Sequence, residues 1–172
     1  KLLSPQPLEK KVSKYRLYKC TWQIGDVYAY RLESEYSREK GFYGKYIIFQ
    51  KVGETECWPG HIIPIVVVYR WIGAEIPRME ELRKLEFLNQ IRPVSLMGRT
   101  QEECYHRELV CESEKKIPVT QLILLGNQKP REKTVLKKGR CNCMGWEKTK
   151  INWTIEKETI DLYLAWQEHD NA

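Results

Sequence analysis

Hydrophobic and polar positions between Trp22 and Trp71 fall into three strand-like runs, Asp26–Leu32, Gly44–Val52 and His61–Trp71. In the first, Val27 and Ala29 oppose Tyr28 and Tyr30. In the second, Ile47 and Phe49 oppose Tyr46 and Ile48. A period of two with β-branched and aromatic residues predicts half-buried strands. The third run, Ile62 through Tyr69, is apolar on both faces and predicts a strand at the centre of a packed sheet. Together they predict an α+β domain, built on a curved, mainly antiparallel sheet or an SH3-like small β-barrel. A short helix and a C-terminal amphipathic helix complete it.

The segments between the runs are read from their breakers. Glu33–Gly41 is charged and ends in glycine, a loop or short helical excursion. Val52–Gly60 reads as a turn region, and Pro64, lacking an amide donor, as a strand start, edge or bulge. Pro77, Glu80 and Glu81 open a short helix with Met79, Leu82 and Leu85 as its apolar stripe. Asn89–Thr100 reads as irregular and Glu102–Glu114 as strand. Leu122-Ile123-Leu124-Leu125 predicts a buried strand over Thr120–Gly126. At the C-terminus, Ile155, Thr159, Leu162, Tyr163 and Trp166 fall on one helical face. Thr154 or Asn152 is the expected cap, and Glu156 and Glu158 suit the first turn.

Length sets the scale: 172 residues fit one domain with an ample core. Lys1–Lys19, with Ser4-Pro5-Gln6-Pro7, reads as a linker or tail, and residues 20–172 as a single β-rich domain. The chain opens on Lys rather than Met and shows no export signal or apolar run of bilayer length. It is therefore expected to be the C-terminal domain of a larger cytoplasmic protein without membrane partners. Its six cysteines then read as free thiols.

The net charge of +6 is unevenly spread. Lys1–Lys19 carries six basic residues against Glu9, and Lys129–Arg140 six against Glu132, leaving the rest mildly acidic. A uniform basic face is excluded, so a polyanion would have to use those segments.

Motifs for catalysis are missing. There is no G-x-S-x-G, Walker-type loop or G-x-G-x-x-G after a strand. Asp26 follows Gly25 where a turn-stabilising role is commonest, and no partner for His61 as a general base follows from spacing. Cys141-Asn142-Cys143 and Cys104-Tyr105-His106 lack the usual zinc-knuckle spacing, so no metal and no cofactor are expected. The aromatic content points to binding instead. Trp58 reads as a turn-borne anchor, with His61 beside it at a cleft mouth and Tyr43 as a further candidate.

Trp22-x-x-Gly25-Asp26-Val27-Tyr28-Ala29-Tyr30, Tyr43-Gly44-Lys45-Tyr46-Ile47-Ile48-Phe49-Gln50-Lys51 and Pro59-Gly60-His61-Ile62-Ile63-Pro64 resemble an uncharacterised family of bacterial proteins. There the segment follows an acidic N-terminal region through a linker. More distantly, Gly25-Asp26-Val27-Tyr28-Ala29, two further strands and Glu75-Ile76-Pro77-x-x-Glu80-Glu81-Leu82 are similar to the immunity protein 26 family. That likeness implies neutralisation of a toxin by covering its surface. The Glu33–Gly41 insert and the C-terminal helix depart from the pattern. The expected function is thus a non-enzymatic protein-binding module of immunity or defence type. The alternative is a nucleic-acid-binding barrel using Lys129, Arg131, Lys133, Lys137, Lys138 and Arg140.

Overall fold

The alternation of Val27 to Tyr30 becomes β1 (Asp26–Arg31), whose two faces feed two separate cores. A computed structural model describes residues 17–94, 99–110, 116–134, 142–147 and 153–170. β1 pairs antiparallel with β2 (Tyr46–Trp58), and β2 with β3 (His61–Gly73). Between β1 and β2 lies α1 (Glu35–Glu39), capped by Ser34, whose Oγ accepts the Ser37 N–H at 3.0 Å. After β3 come α2 (Met79–Leu82) and then a two-stranded hairpin of β4 (Asn89–Val94) and β5 (Arg99–Cys104). β6 (Arg107–Val110) joins β3, β7 (Leu122–Asn127) joins β1, and β8 (Asn142–Gly145) lies parallel to β6. The main sheet runs β7-β1-β2-β3-β6-β8, and α3 (Ile155–Asp170) packs over it.

One face of the sheet buries Tyr30, Ile47, Phe49, Val66 and Val68 against Trp146, Ile155 and Ile160. The other buries Val27, Ala29, Ile48, Val67 and Tyr69 against Leu82 and Phe87. β3 is central and buried on both faces, as its unbroken apolar run predicts. Each of these side chains removes apolar area from water, contributing about 1.5–3 kcal/mol when fully buried.

Of the two expected forms, the mainly antiparallel sheet is found and the closed barrel is not. The sheet is open, with β7 and β8 at opposite edges. Its faces are covered by α3 with Trp146 and by α2 with Phe87, so it has no need to close on itself to bury them. The turn expected over Val52–Gly60 is instead the end of β2, paired out to Trp58–His61 around a two-residue Pro59-Gly60 link. Gly60 sits at φ 77°, the left-handed conformation this link requires. Asn89–Thr100 is not wholly irregular, since β4 fills its first half and β5 begins at Arg99. Leu122–Asn127 is a strand, but an edge strand with exposed side chains rather than a buried one. The linker reading of Lys1–Lys19 falls mostly outside the described residues.

The Trp22–Asp26 turn is fixed by close contacts. Asp26 Oδ2 accepts the Gln23 N–H at 2.7 Å, the turn-stabilising role its position suggests. Gly25, at φ 97°, lies so near Gln128 that a Cβ would come within 2.6 Å of that carbonyl oxygen. Among the described residues no helix is long and apolar enough to cross a membrane.

Candidate functional site

The three residues singled out for recognition do not share a face. Trp58 ends β2 and His61 begins β3, so the hairpin places them opposite each other. Their rings stack at 3.9 Å between centroids. His61 is fully buried, and its Nδ1 accepts the Tyr18 backbone N–H at 3.2 Å. It therefore fastens the incoming chain to the sheet rather than standing at a cleft mouth. Trp58 is 36% exposed and roofs this contact. Tyr43 lies before the start of β2, separated from Trp58 by the length of that 13-residue strand, a distance on the order of 40 Å. Its ring is covered by the Arg38 guanidinium at 3.9 Å.

In the basic segment, Arg131 and Lys133 are likewise committed. Arg131 donates to the carbonyls of Leu85 at 2.8 Å, Leu82 at 3.1 Å and Arg83 at 2.6 Å, closing the C-terminal end of α2. Its guanidinium also lies 4.9 Å from the Phe87 ring centre. Lys133 pairs with Glu86 at 2.5 Å, and that contact holds the Glu86 carboxyl below its ordinary range. Lys129 is exposed. Lys137, Lys138 and Arg140 lie outside the described residues.

Cysteine chemistry gains nothing from the geometry. Burial pushes the Cys57 thiol up, away from the reactive thiolate. Cys143 Sγ lies 3.0 Å from Glu108 Oε2, while Cys141 lies outside the described residues. Among the described residues no three His, Cys, Asp or Glu side chains converge as a metal site would require.

The surface that stands out is the β7 edge. Ile123 pairs across to Ala29 and Leu124 to Tyr28, so they point to opposite faces of the sheet margin. They are 42% and 57% exposed. The β1–β7 register shifts between Val27 and Tyr28, a bulge that leaves Leu125 between two paired positions and turns it onto the α2 side. Two more exposed apolar side chains flank the strand. Val119 precedes it, and Ile24 sits beside its far end, where Asn127 donates to the Ile24 carbonyl at 3.1 Å. Among the described residues no strand pairs with the outer side of β7. The opposite edge differs: β8 is only four residues long, and Gly145 bridges to Thr154.

Native sheets protect an exposed edge by shortness, charge, proline or a covering segment. Leu122-Ile123-Leu124-Leu125-Gly126-Asn127 has no charge and no proline. The sequence concealed this, because four consecutive aliphatic residues read as buried until strand order is known. No protein-family model, curated protein or solved structure matches the chain.

Proposed function

We propose that the chain is a protein-binding domain that takes an extended segment of its partner as an added strand along β7. The observation that carries this reading is an uncharged six-residue edge with Ile123 and Leu124 exposed on its two sides. An added strand extends both apolar layers of the sheet at once. Main-chain bonds supply affinity, and alternate side chains over Ile123 and Leu124 supply selectivity. The complementary partner segment is apolar and free of proline. An immunity-type role, in which the covered surface belongs to a toxin, is the form of this reading that the strand-pattern resemblance favours. The nucleic-acid alternative loses ground, because Arg131 and Lys133 are spent on α2 and Glu86.

The test is capture from native-host extract with wild type, Leu124→Lys and Trp58→Ala side by side. A lysine on an edge strand deters pairing without disturbing a solvent-facing position. The expected result is a partner recovered by wild type and Trp58→Ala and lost with Leu124→Lys. Equal recovery by Leu124→Lys overturns the assignment of the edge.

A further inference from the structure

Cys20 takes no part in the candidate site, and its setting differs from that of Cys57 and Cys143. It is half-buried, and its Sγ lies 3.6 Å from Lys51 Nζ. Lys51 is fully buried within β2, a costly place for an ammonium group unless partners compensate it. Nζ donates to the Trp22 carbonyl and pairs with Glu54 Oε1 at 2.5 Å. Of the three donors an ammonium carries, the last is directed at the Cys20 sulfur.

The backbone holds this pair together from both sides. The Cys20 N–H donates to the Ile62 carbonyl at 3.0 Å, and the Ile62 N–H to the Tyr18 carbonyl at 2.9 Å. Residues 18–20 thus lie as a strap along the start of β3, bridged in parallel through Lys19 and Ile62. Further on, the Gly25 N–H donates to the Lys51 carbonyl at 2.8 Å. A nucleophilic sulfur and a primary amine therefore face each other between two fixed stretches of main chain.

We propose that Cys20 and Lys51 form a redox cross-link, an Sγ–Nζ sulfenamide made by peroxide and undone by thiols, which locks the strap to β2. The oxidant is a hydroperoxide, and it has to reach only Cys20. The Cys20 thiolate attacks the O–O bond of hydrogen peroxide, giving Sγ–OH and expelling hydroxide. That hydroxide takes a proton from the Lys51 ammonium and leaves as water. The freed Nζ lone pair attacks Sγ, the S–O bond breaks, and the departing hydroxide takes a second Nζ proton as another water. Sulfur is oxidised by two electrons and one peroxide is reduced, as in the known condensation of sulfenic acids with nitrogen. The product is neutral at both atoms, and Glu54, whose side chain is 44% exposed, is released to water.

The experiment treats the whole reduced chain with hydrogen peroxide near pH ~8.5, where an ordinary thiol is about half ionised. Trypsin and mass spectrometry follow. Cleavage after Lys51 is expected to be lost, leaving peptide 20–31 joined to peptide 46–70 and lighter than their sum by two hydrogens. A disulfide from Cys20 to Cys57 also joins these regions but leaves Lys51 open to trypsin, so the two are told apart. Dithiothreitol should restore the cut. The cross-link constrains the unfolded chain as a disulfide would, so peroxide should raise the urea midpoint and thiol should lower it again. Cys20→Ser keeps an acceptor for Nζ and should fold as wild type, yet show neither the joined peptides nor the peroxide-dependent rise. Undiminished cleavage after Lys51, with Cys20 recovered as a dimedone-trapped sulfenic acid or in a disulfide, overturns the proposal. Joined peptides carrying an extra oxygen overturn the direct S–N bond, and a midpoint that stays unchanged on cross-linking overturns the lock.

Discussion

Removing the carboxylate of Glu156 should loosen the join between α3 and the start of α1. Glu156 is fully buried in the first turn of α3. Its Oε1 accepts the Tyr30 hydroxyl at 3.2 Å and the Glu33 N–H at 3.0 Å, and its Oε2 accepts the Ser34 N–H at 2.9 Å. Ser34 is also the N-cap of α1, so one side chain ties two helices to β1. Glu156→Ala orphans the two amides and the Tyr30 O–H, since Gln121 Nε2 donates to the Tyr30 oxygen at 3.3 Å and cannot take its proton. Each orphaned donor costs about 1–3 kcal/mol, toward the lower end here because the amides are only partly buried. Relief from burying a charge offsets part of this. The expected net loss is about 2–4 kcal/mol, which for a domain of this size lowers Tm by roughly 5–15 °C. Urea unfolding followed by tryptophan fluorescence measures it, with Trp146 in the adjoining core as an internal reporter. Glu156→Gln keeps one acceptor oxygen and should fall between wild type and Glu156→Ala. A loss below about 1 kcal/mol for Glu156→Ala, or equal losses for both variants, refutes the reasoning.

Three further outcomes follow from the same contacts. Arg131→Lys cannot reach the three carbonyls its fork now bonds and should cost about 1–2 kcal/mol by urea unfolding. Lys133→Ala removes only an exposed ion pair and should cost less than about 1 kcal/mol, while the Glu86 carboxyl, followed by NMR titration, moves back up. Burial pushes Tyr28 and Tyr69 up to about 12, with Asp26 and Cys20 adding to the effect at Tyr28 and Arg131 opposing it at Tyr69. An unfolded tyrosine ionises near pH ~10, so the unfolded chain sheds protons first. Stability contributed by these phenols is complete below that value and falls as pH rises toward about 12. Urea midpoints should therefore decline across that window, and native phenolate absorbance should lag the denatured control. Coincident titrations contradict the assignment.

How much of this was legible in the residues depended on the range of the interaction. The alternation of Val27 to Tyr30 and the apolar run of β3 are local signals, and both gave the observed strands. The α3 face was legible for the same reason: Ile155 and Thr159 are buried as their spacing requires. Edge status is not local. Leu122–Leu125 has the same composition whether it sits inside a sheet or at its margin, and only the order β7-β1-β2 exposes Ile123 and Leu124. Glu156 does stand in the first turn of α3, but its burial is not legible there, because a first-turn glutamate suits the helix dipole even in solvent. Its burial comes from Tyr30, Glu33 and Ser34, more than 120 positions earlier. The burial of His61 escapes the sequence because it depends on Trp58 pairing across a two-residue Pro59-Gly60 link that reads as part of a longer turn. Arg131 and Lys133 read as a nucleic-acid strip because α2 and Glu86, their partners, lie over 40 positions away.

The account rests most heavily on the outer side of β7 being open and receptive. Amide hydrogen exchange across 122–127 addresses both properties in one measurement, on the chain alone and with the captured partner. In the isolated chain, amides facing β1 should exchange slowly and those facing outward rapidly. Adding the partner should slow the outward amides. Slow exchange at every β7 amide in the isolated chain, or no change when the partner binds, contradicts the account.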